Sequence, residues 1–364
     1  MSIWYQWGVR PSLYALCGFD AERVHHFVMY WLRQKWVPCV VRRVVPGRGH
    51  DIRLHQDILG VEFPNPVGLA AGMDKNAIAL STLEQFGFGS LEFGGVTPQP
   101  QKGNPKPRLF NVWEKSALIN RMGFNSDGVE QVVQNLMSLP RPSVPIGANL
   151  AVNKERAHDP EQVCADYVAS MEALYYSVDY FVVNVSSLNT PGLRDQVAHL
   201  PGMLAYVHAQ NVICADLWGV TPKPIFVKLS GDMQQCEFET AVNAISCYPN
   251  GGLVAINASS SRDGVRARHV PQGALSGPPI FKRMLHHVRI ARACAPDMVI
   301  VASGGISNAQ DAIEALHAGA NVCQVYTSFV VQDPFVASHI NAGVCRYMHH
   351  ERMSNITDFQ SYWT

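Results

Sequence analysis

The chain has 364 residues, 47% apolar and 16% charged, with 29 Lys and Arg balanced by 29 Asp and Glu; it can build a sizeable core, is not globally disordered, and lacks the basic excess of a nucleic-acid binder. Nine cysteines without a CxxC pair and 14 histidines without an HExxH pattern offer no recognisable zinc site or disulfide framework, so no metal is expected and a reducing compartment is. No apolar run approaches the roughly 18 residues of a membrane span, and no secretory signal pattern opens the chain, so secretion is not expected.

Residues 1–50 carry seven basic side chains (Arg10, Arg23, Arg33, Lys35, Arg42, Arg43, Arg48) and two acidic ones (Asp20, Glu22), a local charge of +5 that leaves −5 for the rest. Four of the seven tryptophans, Trp4, Trp7, Trp31 and Trp36, lie there too. A short helix is expected over Pro11–Leu16. A longer one is expected over Ala21–Gln34, capped by Asp20 and with Glu22 at its positive end. Val24, Phe27, Val28, Trp31 and Leu32 follow helical spacing and give it one apolar face. Aromatic residues with basic flanks suit a segment lying in the lipid headgroup layer; an ordinary helical pair packed on the main domain is the other reading.

Beyond residue 60, short apolar runs alternate with helix-like sequence. The runs are Pro66–Ala71, Ser90–Gly94, Val144–Leu150, Tyr180–Val185, Pro224–Leu229, Leu253–Asn257, Met298–Ala302 and Val322–Tyr326. Helix-like stretches include Glu161–Tyr176, Cys236–Ser246, Phe281–Cys294 and Ala309–Ala318. Continuous rather than alternating apolar runs suit parallel strands buried on both faces. Eight strand-helix repeats in about 300 residues predict a (β/α)8 TIM barrel over 51–364, preceded by the helical segment 1–50. A doubly wound sheet fits less well, because no GxGxxG turn follows the first strand.

A barrel gathers its functional residues at the C-terminal ends of the strands. Polar and glycine residues collect there: Gly72-Met73-Asp74-Lys75, Asn149, Asn184 with Ser186-Ser187, Lys228, Asn257 with Ser259, Gly304-Gly305 and Tyr326-Thr327. Gly304-Gly305, Gly277 and Ser328 sit in the loops where barrels commonly bind phosphate through backbone N–H groups, which points to a phosphorylated ligand. Lys75 and Lys228 are expected to face anionic or electron-rich ligand atoms, because a barrel-lining lysine is costly without a partner. Asn149, Asn184, Asn189 and Asn257 would form a ring of amides, whose paired donors and acceptors suit an imide or pyrimidine-like ring. No histidine lies near Ser187 in sequence, so an acyl-transfer triad is not supported, and Ser187 read alone is a loop hydroxyl.

Four longer motifs carry a family resemblance: Gly68–Lys75 (GLAAGMDK), Gly103–Phe110 (GNPKPRLF), Asn120–Asn125 (NRMGFN) and Asn184–Arg194 (NVSSLNTPGLR). Over roughly residues 10–335 the chain resembles the class 2, quinone-dependent dihydroorotate dehydrogenases. That family oxidises (S)-dihydroorotate to orotate in pyrimidine biosynthesis with tightly held FMN, then reduces a membrane quinone; its class 2 members pair an N-terminal helical segment with a serine base. The resemblance implies that Ser187 removes the ring proton while hydride passes to the flavin, with Thr190 helping to carry the proton away. It implies a substrate site of Lys75, Asn120, Arg121, Met122, Gly123, Phe124, Asn184, Asn189, Asn257 and Ala258. The implied FMN site is Ala71, Gly72, Met73, Asp74, Lys75, Gly95, Asn149, Asn184, Lys228, Ile256, Gly277, Gly304, Gly305, Tyr326 and Thr327. His25, Arg108 and Tyr326 match positions near the family's quinone tunnel. Peripheral attachment to the inner membrane of the cell, on its cytoplasmic side, would follow.

The sequence also departs from that pattern. Gly95 stands where a threonine is usual, Ala151-Val152 where Gly-Lys is usual, Leu188 for a proline, Ile256 and Ala258 for threonines flanking Asn257, and Ala302-Ser303 for Gly-Val. The departures keep open an FMN oxidoreductase of the same fold acting on another cyclic amide, or a catalytically silent flavin-binding protein at a membrane.

Overall fold

The computed structural model describes residues 4–45, 51–262, 264–265 and 271–363; Arg48 of the basic leader lies outside them. In chain order the elements are α1 (Arg10–Leu16), α2 (Ala21–Leu32), α3 (Val37–Val44), β1 (Gln56–Ile58), β2 (Val61–Phe63), β3 (Val67–Leu69), α4 (Leu80–Leu83), β4 (Ser90–Val96), β5 (Leu109–Val112), β6 (Ala117–Asn120), α5 (Val129–Ser138), β7 (Ile146–Leu150), α6 (Pro160–Leu174), β8 (Tyr180–Asn184), α7 (Leu200–Trp218), β9 (Ile225–Ser230), α8 (Gln235–Ser246), β10 (Gly251–Asn257), β11 (Ala274–Ser276), α9 (Phe281–Cys294), β12 (Val299–Ser303), α10 (Ala309–His317), β13 (Val322–Val325), α11 (Thr327–Val331) and α12 (Val336–His350).

The eight predicted runs become eight parallel strands that close in the order β3-β4-β7-β8-β9-β10-β12-β13 and back to β3. Their side chains are buried on both faces, as in β7 and β8 where every residue is covered, which is why the sequence reads as unbroken apolar runs. The N-terminal end of the barrel is closed by an element absent from the sequence reading. The antiparallel hairpin β1–β2 inserts Ile58 and Phe63 against Tyr180, Val182, Phe226, Val254, Val301 and Val322. The rings of Phe63 and Tyr180 lie 6.2 Å apart, and those of Tyr180 and Phe226 5.5 Å. At the other end, β5, β6 and β11 form a small antiparallel sheet over the mouth. Its strands lie within the loops after the barrel strands and are only three or four residues long, too short to announce themselves in the sequence.

Among its described residues the leader has three α-helices, preceded by a π-helical turn at Tyr5–Val9, rather than a helical pair. Asp20 accepts from the Arg23 amide and starts α2, as its position predicts. The single apolar face expected of α2 is split in two. Val24, Met29 and Leu32 are buried toward the barrel, whereas Phe27, Tyr30 and Trp31 are exposed, and Trp31 meets Trp36 at 6.4 Å. Met29, Leu32, Val37 and Val41 belong to the same apolar cluster as the barrel's outer layer. Arg10 is corrected from a lipid-facing cation to a buried strap: it donates to the Val331 carbonyl at 2.7 Å and stacks 4.0 Å over Trp113. Arg23, Arg33, Lys35, Arg42 and Arg43 are not buried.

Candidate active site

A cavity opens at the C-terminal mouth of the barrel and reaches the leader at His25. It brings together Ala71, Gly72, Lys75, Gly95, Asn120, Met122, Gly123, Phe124, Asn149, Asn184, Ser187, Asn189, Lys228, Ile256, Asn257, Ala258, Gly277, Gly304, Gly305, Tyr326 and Thr327. Five expected site residues do not line it. Met73 is a core side chain, and the buried Asp74 carboxylate accepts from the Ile78 and Ala79 amides, closing the loop after β3. Burial pushes the Asp74 carboxyl up to about 6 against those hydrogen bonds. Arg121 points away, donating to the Pro107 carbonyl. Thr190 lies behind Ser187. Arg108 faces a second cavity under α2, where Glu22 and the Lys102 and Asn104 carbonyls take its donors. Ser328, expected among phosphate-loop donors, instead donates to the Ile306 carbonyl.

Ser187 is buried in the loop after β8, its Oγ 3.2 Å from Thr190 Oγ1 and accepting from the Asn189 amide at 3.3 Å. The hydroxyl pair sits out of bulk water, where a weak base and a proton acceptor can work. Asn189 Nδ2 donates to Asn120 Oδ1 at 3.3 Å, tying this loop to the end of β6. Asn257 Nδ2 donates to Ser186 Oγ at 2.9 Å.

Lys75 donates to Asn125 Oδ1 at 2.5 Å. Asn125 also lines the cavity; it is a site residue the sequence reading leaves unassigned, although it closes the NRMGFN motif. Burial, reinforced by the Arg108 charge, pulls the Lys75 ammonium down to about 7. His25 is driven down to about 3 by burial and by the neighbouring Lys75 and His26, so it is a neutral imidazole at the leader side of the cavity. Tyr326 is pushed up to about 12 by burial and stays a phenol. Lys228 is 5% exposed, and its ammonium has no hydrogen-bond or ion-pair partner among the described residues.

These features fit a flavin. Gln324, silent in the sequence as a lone polar residue inside the last apolar run, lines the cavity with its Oε1 buried and without a partner, an acceptor suited to an imide N–H. Lys228 presents an uncompensated cation to electron-rich atoms. Gly305, at φ 80°, lets two backbones approach: a Cβ there would lie 2.7 Å from the Phe281 amide nitrogen at the start of α9. Two of the departures also meet in space. A Cβ on Gly95 would lie 2.8 Å from Ala151 Cβ, so the side chain absent at 95 is matched by a methyl at 151 and the wall stays filled.

Known proteins agree with this architecture. The dihydroorotate dehydrogenase family profile matches residues 53–348. Proteins named dihydroorotate dehydrogenase (quinone) from Chloroflexus aurantiacus and Thermus thermophilus are 36% and 38% identical, the alignments covering 94% and 95% of this chain and 96% and 98% of theirs. A crystal structure of a dihydroorotate dehydrogenase from Eimeria tenella in complex with ferulenol superposes with a TM-score of 0.83 at 28% identity, covering 95% of this chain and 97% of that one. The chain belongs to the dihydroorotate dehydrogenase family.

Proposed function

We propose that this chain oxidises (S)-dihydroorotate to orotate in pyrimidine biosynthesis, with FMN as the first electron acceptor and a membrane quinone as the last. The observation that carries the reading is one cavity in which the buried Ser187 (backed by Thr190), the Lys75 cation, the amides of Asn120, Asn184, Asn189 and Asn257, and the unpaired Lys228 and Gln324 come together. Lys75 and the amides hold the substrate's carboxylate and ring polar groups. Ser187 takes the proton that leaves the ring, and Thr190, in contact with it, receives the proton onward. The chemistry FMN would supply when bound is acceptance of the two substrate electrons and their release to a quinone. Lys228 and the Gly304-Gly305 turn, with Gly277 and Thr327, hold the flavin. The closed N-terminal end of the barrel and the small sheet over the mouth keep the reacting ring from water. His25, neutral and facing the cavity from the leader, and Tyr326 border the path a quinone takes from the lipid.

The leader is the membrane contact. Trp7 is 81% and Phe19 74% exposed, and the same leader carries the exposed cations Arg23, Arg33, Lys35, Arg42 and Arg43. Trp rings favour the interface and the cations favour anionic headgroups. No helix among the described residues is long and apolar enough to cross a membrane. The attachment proposed is peripheral, through these rings and cations, at the cytoplasmic side of the inner membrane.

Turnover of (S)-dihydroorotate with decylubiquinone tests the activity, and chromatography of the heat-released chromophore tests the cofactor. Stoichiometric orotate and free FMN are expected. A folded, flavin-loaded chain that forms no orotate, or one that releases FAD, contradicts the corresponding part of the proposal.

A further inference from the structure

Below the cavity, inside the barrel, lies a carboxylate for which the chemistry above has no use. Glu92 on β4 is 1% exposed and forms no salt bridge among the described residues. Its two oxygens accept from Asn149 Nδ2 at 2.8 Å and Gln324 Nε2 at 2.6 Å. The donations continue outward in one direction. Asn184 Nδ2 donates to Asn149 Oδ1 at 3.0 Å, Ser186 Oγ to Asn184 Oδ1 at 2.8 Å, and Asn257 Nδ2 to Ser186 Oγ. Five side chains drawn from four strands and one loop thus end at a single acceptor.

We propose that Glu92 is a positioning residue that sets which way the cavity's amides face. A side-chain amide can be turned end for end at almost no steric cost, and on its own could offer either face to a ligand. A carboxylate only accepts, so both amides beside it must present their NH2 groups to it. Asn149 is then held with its oxygen toward Asn184, and Gln324, a residue of the cavity wall, is held with its oxygen left over as a buried acceptor without a partner. Charge-assisted bonds are shorter and stronger than neutral ones and polarise the chain behind them. Glu92 does not line the cavity; as the acceptor at the end of the chain it fixes which end of each amide faces its neighbour, and leaves the Gln324 oxygen as the one acceptor without a partner, suited to an imide N–H such as that of a flavin. This inference rests on the flavin reading above.

Glu92→Gln keeps the shape and removes the constraint. The amide it places on β4 has one oxygen for two facing NH2 groups, so one neighbour must turn. Asn149 is held by Asn184, whereas Gln324 has nothing on its oxygen, so Gln324 turns and the cavity acceptor becomes a donor. The exchange Glu92→Gln with Gln324→Glu restores the pattern. Asn149 then donates to the amide oxygen at position 92, and the amide NH2 at position 92 donates to the carboxylate at position 324. That carboxylate still offers an acceptor to the cavity.

The experiment is an FMN titration of the flavin-stripped wild type, both single variants and the double variant, followed by quenching of FMN fluorescence, with thermal melting of each stripped protein as a control for folding. E92Q is expected to weaken FMN binding on the order of tenfold, the scale of one unpaired buried polar group, with little change in melting. Q324E, which sets two carboxylates face to face, is expected to bind worse, and the double variant better than either single. Should E92Q not accumulate as folded protein, the double variant must do so. E92Q that binds FMN as the wild type does, or a double variant showing only the sum of the two losses, overturns the proposal. A wild type that binds FMN but does not oxidise dihydroorotate contradicts the activity and leaves this test standing; a wild type that takes no FMN overturns both.

Discussion

The barrel interior and the leader differ in where most of their aromatic residues lie, although the leader buries Tyr14 and the barrel's outer layer exposes Tyr176 and Trp218. In the barrel, Tyr167, Tyr175, Phe88, Phe93, Phe181 and Phe226 are fully buried. In the leader, Trp4, Trp7, Trp31, Trp36, Phe19 and Phe27 are exposed. Both regions share one apolar cluster, so the leader is not a loosely tethered arm whose side chains found no core. Its inner face is packed and strapped, with Glu22 paired to Arg108 at 2.8 Å and the Thr82 hydroxyl bonded to the Leu32 carbonyl at 2.5 Å. Exposed aromatics on so firmly seated a segment point to an apolar environment outside the protein. On the proposed function the chemistry divides the same way, with substrate oxidation assigned to the barrel cavity and electron delivery to the side where the leader stands.

The strongest way to break that division is at the base. Ser187→Ala is expected to slow flavin reduction by dihydroorotate ~10²-fold or more, the usual scale for a positioned proton acceptor, while reoxidation by quinone is unchanged. Rapid-mixing absorbance measures both halves. A variant that reduces its flavin at the wild-type rate places the base elsewhere.

Removing outward aromatics attacks the other side. Trp7→Ser with Phe19→Ser is expected to weaken binding to anionic vesicles by ~tenfold or more, since burying each ring contributes ~1.5–3 kcal/mol, and to leave flavin reduction intact. Deleting residues 1–40 is a poorer test, because it also strips Met29, Leu32 and Val37 from the core. Vesicle co-sedimentation that does not change would show that these rings do not meet lipid.

A pH titration sharpens the substrate half. Lys75 titrates at about 7, held low first by burial. Orotate is an anion throughout, so it binds the ammonium form; its affinity falls as pH rises through 7, by at most ~tenfold per pH unit. Flavin absorbance titrated with orotate from pH 6 to 9 reads this, and a flat profile, or a sloping profile retained in Lys75→Met, would remove Lys75 from that role.

The smallest effect belongs to the seam between the regions. Burial raises the Glu22 carboxyl, but the hydrogen bonds and charges of Arg108 and Lys106 outweigh it and hold the group at about 2. A carboxyl depressed on folding contributes stability above its unfolded value near 4.5, and that contribution disappears as pH falls toward 2. Glu22→Gln should therefore lower the melting temperature at pH 7 by a few degrees, roughly the effect of 1 kcal/mol, with the gap to the wild type narrowing below pH 4. A gap that stays constant across that range contradicts the pairing.

Most of the barrel was legible in the sequence because its signal is local: each strand is a largely apolar run ending in glycine or polar residues. What escaped was built from short or isolated pieces. The hairpin β1–β2 and the sheet β5–β6–β11 consist of strands of three or four residues, too short to show a period. The α2 face divides differently from its spacing because Phe27 and Trp31 share helical positions with Val24 and Leu32, and spacing alone does not say which side chains meet protein and which face outward. Within the cavity, Lys75, Asn149, Asn184, Ser187 and Lys228 were readable as polar residues at strand ends. Gln324 and Glu92 were not, since each is a single polar residue inside an apolar run, and their pairing across β4 and β13 exists only once the barrel closes.

The division between the two regions is tested most directly by following one turnover in two steps on the full-length, FMN-loaded chain. Dihydroorotate is added without oxygen, and then vesicles carrying a long-chain quinone, with the wild type beside the Trp7→Ser, Phe19→Ser variant. The account predicts equal bleaching of both flavins by dihydroorotate, followed by fast reoxidation of the wild type and slow reoxidation of the variant. Equal reoxidation of the two, or bleaching that fails when only the leader has been changed, would contradict it.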